Sequence, residues 1–362
     1  MNFMKEYNRF MKNKKNQTIR SWIGVSACFL VLLIAFVSFL TKDDTQKRNI
    51  TYTNIGFDTP IQFQATCTQE EFDTYSNIVK ETFESQNHNF DAYDSHSVLY
   101  KLNQDKQAQI NEDFLSCIHI AMQANQQLHT FDISQGALLQ AWHSIRESEH
   151  PDLSIIEQNE FPYGMECIHL QEDHIELTHN IRLDLGGIAK GYTAQLCKEK
   201  LNKQGLHNGF INAGGNVVLL GEKPDKTPWN IGIQSPDDES SLVQVEIKKP
   251  LAMVTSGDYQ RYATIENQRY GHIIDPNTKY PAKFSRSVTV LHEDSAWADA
   301  YSTALFCMSV EDGMKYCQEH NISAIWITET NDTDCFLKTK DYNIYATADL
   351  QNSIQLSQNF TK

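Results

Sequence analysis

Polar and apolar positions along this chain follow two periods. In residues 50–66 strand-type side chains dominate, and Ile61, Phe63 and Ala65 alternate with Gln62 and Gln64. A period of two predicts a strand with one buried face. Between Gln69 and Phe90 the apolar residues Phe72, Tyr75, Val79 and Phe83 fall three and four apart, on one face of a helix. Phe114, Ile118, Met122 and Leu128 predict a second helix over 113–129. Residues 89–97 are turn-rich, an apolar stretch closes at Trp142 and His143, and the polar segment 147–163 reads as a loop. The pattern then predicts a strand over 175–183, a glycine-bearing turn at 184–191, and a helix ending near Gly205. Two strand pieces flank Gly214 and Gly215; further strands fall at 229–233, 242–247, 287–291 and 323–328, with a helix over 298–308. Strands and helices interleave without a βαβ rhythm. The expected class is therefore α+β, mixed sheets with packed helices, rather than a doubly wound sheet. No internal repeat or low-complexity tract interrupts it.

One segment breaks the globular pattern. Residues 21–41 hold no charge, and at about 1.5 Å per helical residue they span a hydrocarbon layer of about 30 Å. Of the chain's 31 basic and 46 acidic residues, six and one lie in residues 1–41, so the remainder carries 25 and 45. A basic head before an apolar run keeps the N-terminus in the cytoplasm and sends the body across. The expected organisation is a basic head (1–20), a single-pass transmembrane anchor (21–41), a polar linker (42–49) and an extracytoplasmic body (50–362). The alternative is a lipoprotein attached through Cys28, because residues 25–28 read as a lipoprotein cleavage box. The acidic body excludes general nucleic-acid binding. Seven cysteines remain outside the apolar run, with no Cys-x-x-Cys pair, which suits buried thiols better than a disulfide framework. No zinc spacing occurs among the 13 histidines.

Four groups of residues carry candidate chemistry. Asp184 to Gly191 place glycines and Lys190 between a strand and a helix; backbone can approach a ligand there and a helix N-terminus favours anions. A tight structural turn is an equal reading. Asn212 to Asn216 contain paired glycines, implying a bulge or a close neighbour, ligand or backbone. Thr255 to Tyr259 precede His272 and Asp275, a polar turn near a His–Asp pair able to support proton transfer or simply to hydrogen-bond. Asp299 and Thr303, four apart on a helix, share one face; both are hard oxygen donors suited to Mg²⁺.

In this order the groups resemble the ApbE-like family of FAD:protein FMN transferases. The likeness also covers Phe90 to Tyr93, Leu102 and Asn103, Thr130 to Ile133, His272 to Pro276 with Tyr280 to Ala282, and Ala298 to Leu305. The resemblance implies an Mg²⁺-dependent enzyme with FAD as substrate. It would transfer FMN to a Thr hydroxyl of an acceptor protein carrying an FMN-binding domain of an electron-transport system, releasing AMP. It implies that Tyr93 packs on the flavin, that Thr130, Phe131 and Asp132 sit against FAD, and that Asp184, Lys190 and Ile273 contact it. It implies His272 as the catalytic base and Gly187 (carbonyl), Asp299 and Thr303 as the Mg²⁺ ligands. The competing expectations are an Mg²⁺-dependent FAD pyrophosphatase and a non-catalytic flavin-binding membrane protein. The chain departs from the family pattern in three places. Phe57-Asp58-Thr59 stands for Met-Gly-Thr, Gln195 stands where an acid is frequent, and Lys279 replaces the turn glycine after Asp275-Pro276-Asn277-Thr278.

Overall fold

The computed structural model describes residues 44–331 and 334–360, together with helical residues at 3, 4, 7, 9, 11 and 12. Residues 21–41 and Cys28, and with them the expected anchor or lipid attachment, lie outside the described residues. Among the described residues no helix is long and apolar enough to cross a membrane. The chain forms two compact units: residues 1–46 with 67–69, and residues 47–66 with 70–362.

Seventeen strands are described: β1 Gln46–Tyr52, β2 Ile61–Cys67, β3 Gln107–Gln109, β4 Ile168–Gln171, β5 His174–Leu177, β6 Phe210–Ala213, β7 Asn216–Leu219, β8 Trp229–Gln234, β9 Ser241–Ile247, β10 Ala252–Gly257, β11 Tyr262–Ile265, β12 Gln268–Gly271, β13 Ser287–His292, β14 Ser323–Glu329, β15 Leu337–Lys338, β16 Tyr342–Ala346 and β17 Ile354–Leu356. The helices are α1 Gln69–Phe90, α2 Val98–Asp105, α3 Glu112–Gln127, α4 Gly136–Glu147, α5 Ser154–Gln158, α6 Ala189–Lys203, α7 Ser295–Phe306 and α8 Val310–His320. The class is α+β, as expected. Four local expectations change, the first being that Thr255 to Gly257 of the expected polar turn close β10. β1 begins at Gln46, so the last four residues of the expected linker are strand. The strand expected over 175–183 stops at Leu177. The expected loop 147–163 contains α5.

The large sheet runs β1-β2-β6-β7-β10-β13-β14-β16-β15, and each neighbouring pair from β2 onward is antiparallel. Its middle strands β10, β13 and β14 are buried on both faces because both faces are covered. α7 packs on β10 and β13, and α6 packs on α7. On the sheet's other face Met253, Leu291, Ile325 and Ile344 meet Val243, Val245 and Ile354 of the three-stranded sheet β17-β9-β8. A smaller cluster of Leu138, Trp142, Ile145, Ile265, Tyr270 and Ile274 ties α4 to the β11–β12 hairpin.

Helix starts are set by short polar side chains. Ser97, Asn111, Asp294 and Ser309 each accept a first-turn amide of α2, α3, α7 and α8. α6 has no such cap at Ile188. Its Gly191 N–H is instead met by the carboxylate of Asp299 on α7, at 2.8 Å. The two helices come close enough for this because residue 191 is glycine: a Cβ there would lie 2.3 Å from the Ser295 carbonyl oxygen.

Candidate active site

All eleven residues singled out from the sequence line one cleft of about 1220 Å³: Tyr93, Thr130, Phe131, Asp132, Asp184, Gly187, Lys190, His272, Ile273, Asp299 and Thr303. That volume exceeds the usual range of small-ligand pockets, about 300–1,000 Å³, and leaves room for a dinucleotide.

The floor is an oxygen cluster. Asp299 is 3% exposed and Thr303 lies one turn further along α7. Thr303 Oγ1 donates to the Gly187 carbonyl at 3.3 Å, and a Cβ on Gly187 would stand 3.1 Å from both the Thr303 methyl and the Phe131 ring. Ser256 on β10 reaches the same helix, 2.8 Å from Ser302 Oγ and 3.4 Å from Thr303 Oγ1. Burial pushes the Asp299 carboxyl above the usual carboxylate range, against the opposing effects of the Lys190 charge, the Gly191 N–H and Asn216. A buried carboxylate that meets an amide rather than a cation, next to a hydroxyl and a carbonyl, is an incomplete set of hard oxygen donors. The set fits Mg²⁺, which takes one or two carboxylates and leaves its other positions to waters and phosphates. Among the described residues no cluster of three His, Cys, Asp or Glu forms, so a multi-histidine or thiolate metal site is not available there.

One wall is built by turns whose polar groups are already engaged. Thr130 Oγ1 donates to the Ala304 carbonyl of α7 at 3.0 Å. Asp132 Oδ1 accepts from the Ser134 N–H at 2.8 Å and the Ser134 hydroxyl at 2.6 Å. Asp184 Oδ1 accepts the Gly186 N–H at 2.8 Å. The buried Asn103 side chain holds the backbone of Leu183 on both sides, accepting its N–H at 2.7 Å and donating to its carbonyl at 2.8 Å. These bonds fix where the 184–191 segment enters α6.

The opposite wall carries His272, directly after β12. Its Nδ1 is 3.2 Å from the Arg261 carbonyl oxygen. A carbonyl only accepts, so Nδ1 carries the proton and Nε2 keeps its lone pair. Burial, with the positive charges of Lys190, Arg261 and Arg146, pushes the His272 pKa down to about 3. The imidazole is therefore uncharged at neutral pH. Asp275, the other half of the sequence pair, accepts the Asn277 N–H at 2.9 Å and shapes the turn instead.

Around Tyr93 the cleft wall holds residues given no role by the sequence: His143, Arg146 and Arg261. Tyr93 stacks on His143, ring centroids 4.2 Å apart, and is 44% exposed. Desolvation and the Asp184 carboxylate push its phenol upward. Arg261 bridges to the Phe57 carbonyl at 3.2 Å and lies 3.5 Å from the Asp58 carboxylate. Leu139, His143 and Arg146 line the cleft from α4 while Leu138, Trp142 and Ile145 are buried. That amphipathic spacing is the sequence signature of a helix with one face on the cleft.

The departures from the family pattern have structural outcomes. Asp58 adopts a left-handed φ of 48° where the pattern has glycine, and Lys279 does the same at 64°. Gln195 accepts the Ser295 N–H at 3.2 Å, so an acceptor is kept at the start of α7. Gly214 and Gly215 line the cleft, and a Cβ on Gly214 would lie 2.3 Å from Thr59 Oγ1, a close neighbour rather than a bulge. They are the two-residue turn of the β6–β7 hairpin, with φ of 58° and 95°.

Together these features define an α+β protein with a dinucleotide-sized cleft, a hard-oxygen floor and an uncharged imidazole on its wall. The chain belongs to the ApbE family, whose pattern it matches over residues 57–326. It is 39% identical over 155 residues to the FAD:protein FMN transferase of Klebsiella pneumoniae strain 342, covering 42% of this chain and 47% of the relative. It is 38% identical over 153 residues to the FAD:protein FMN transferase of Vibrio cholerae strain O395, covering 41% and 46%. The chain thus spans about half the length of these curated relatives. The crystal structure of the ApbE protein from Thermotoga maritima superposes with a TM-score of 0.70 at 25% identity, covering 87% of this chain and 98% of that one.

Proposed function

We propose that the protein is an Mg²⁺-dependent FAD:protein FMN transferase. The observation that carries the reading is the convergence of Asp299, Thr303 and the Gly187 carbonyl with an uncharged His272 on one dinucleotide-sized cleft. The names of the two relatives support it. Asp299, Thr303 and Gly187 would hold the ion, which neutralises charge on a pyrophosphate when bound. Tyr93, with much of its ring exposed, offers a stacking face to the flavin, and Thr130, Phe131, Asp132, Asp184, Lys190 and Ile273 line the path of FAD. His272 Nε2 accepts the proton of an acceptor Thr hydroxyl. The hydroxyl oxygen bonds to the FMN phosphorus, the P–O bond to the AMP phosphate breaks, and AMP leaves. Positioning and charge stabilisation do most of this work, as in phosphoryl transfer generally. The acceptor is an FMN-binding domain of an electron-transport protein.

The test uses the full chain in detergent with FAD, Mg²⁺ and such a domain. Flavin fluorescence that stays on the denatured acceptor, with AMP released and both lost in EDTA, is the expected result. AMP and free FMN without a labelled acceptor would replace transfer by pyrophosphate hydrolysis. The same proposal places the body outside the cytoplasmic membrane, held by residues 21–41. Protease added to intact cells should then remove the body once any outer barrier is opened. Protection there would overturn the location.

A further inference from the structure

Arg146 stands apart from the reaction just described. It lies on α4 one turn after His143, lines the cleft, and has a buried Nη1 with no hydrogen-bond partner among the described residues. A guanidinium is always charged and presents its N–H groups in a fixed planar fork. Leaving a buried donor of that kind unmet is costly, so a bound group is the natural partner. Its place along the cleft indicates which group. Arg146 follows His143 by one helical turn, and the His143 ring stacks on Tyr93. Lys190, in the first turn of α6, directly precedes Gly191, whose N–H meets Asp299. The phosphate end of the cleft is therefore served by Lys190, and Arg146 belongs to the end where Tyr93 stacks on His143.

We infer that Arg146 recognises the flavin ring itself, its guanidinium donating to the electron-rich carbonyl edge of the isoalloxazine. The inference rests on FAD being the substrate. A planar fork meeting adjacent acceptors in the ring plane, with aromatic side chains against the ring face, would distinguish a flavin from other aromatic groups of similar size.

The experiment compares full-length wild type with Arg146→Met and Arg146→Lys, measuring dissociation constants for FAD, riboflavin and ADP. The Met variant should bind FAD and riboflavin about 10- to 100-fold more weakly, the usual effect of losing a hydrogen bond to a charged group, while ADP binding is unchanged. The Lys variant should fall between, since it keeps the charge and loses the fork. Unchanged ADP binding also shows that the cleft remains folded. Riboflavin binding by the Met variant at the wild-type level overturns the inference, and so does loss of ADP affinity in either variant. A wild type that binds ADP but neither flavin would remove the substrate reading, and the inference falls with it.

Discussion

His272 is held neutral by its surroundings. Its folded pKa of about 3 lies below the unfolded value near 6.5, so between these values the unfolded chain binds a proton that the folded chain refuses. This group therefore contributes a loss of stability as the pH falls from about 6.5 towards 3. Thermal melts of the ligand-free protein should show that decline, and His272→Gln should flatten it. If both proteins melt alike across the range, the imidazole is not held neutral. Asp299 makes the opposite compromise. Its carboxylate is buried on α7 and meets the Gly191 amide directly. Asp299→Asn keeps an acceptor for the Gly191 N–H and removes the buried charge. It should raise the melting temperature in EDTA by a few degrees, of the order of 1 kcal/mol, while abolishing transfer and any stabilisation by added Mg²⁺. A variant that still melts higher with Mg²⁺ would remove Asp299 from the ion site.

The same compromise governs how segments meet. α6 and α7 touch at Gly191, where a Cβ would also lie 2.6 Å from the Asp299 Cβ. Backbone atoms on rigid helices cannot yield cheaply. Gly191→Ala should cost about 1–3 kcal/mol by overpacking and displace Asp299, so that chemical denaturation and transfer both suffer. In the turn after Asp275, Lys279 holds a φ of 64°, and its carbonyl accepts the Trp142 indole N–H at 2.8 Å. Trp142 also stacks on Tyr270 of β12, so one buried side chain fixes both the turn and the strand leading to His272. The left-handed backbone disfavours a side chain by about 1–2 kcal/mol, partly offset by the flexibility a glycine adds to the unfolded state. Lys279→Gly should therefore stabilise the protein by up to about 1 kcal/mol, read from urea midpoints, without changing transfer.

Long-range order depends on a charge cluster between strands and loops. Arg286, just before β13, binds Asp258 through Nε at 2.9 and 3.1 Å and also meets Asp237 and Glu329. Its side chain is 12% exposed and that of Asp258 18%, whereas Asp237 and Glu329 are 61% and 72% exposed. The inner pair dominates because exposed pairs contribute little. Together the carboxylates hold the guanidinium above its usual pKa despite its burial. Arg286→Met would strand Asp258 and should cost about 3–5 kcal/mol, whereas Glu329→Gln should cost under about 1 kcal/mol. Equal midpoints for the two variants would contradict this ranking. The cluster anchors the loop at 258–261, so the Met variant should also weaken the carbonyl contact of Arg261 to His272.

Local physics was legible along the chain. Side-chain period alone marked α1 to its last residue, β2, β13 and β14, because each buries one or both faces in a regular repeat; β10 escaped it, since Thr255, Ser256 and Gly257 at its end read as a polar turn. The order of the Asp184, Thr255, His272 and Asp299 groups named the family and gathered eleven residues on one cleft. Other features needed the folded chain, because they depend on which surfaces meet. The proximity of α6 and α7 turns Asp299 into the cap of a neighbouring helix. The Arg261 carbonyl, rather than Asp275, faces His272. The polar edge of α4 becomes a cleft wall only once Trp142 is buried behind it. A one-dimensional pattern records what a residue prefers to bury or hydrogen-bond; only packing in three dimensions selects its partner.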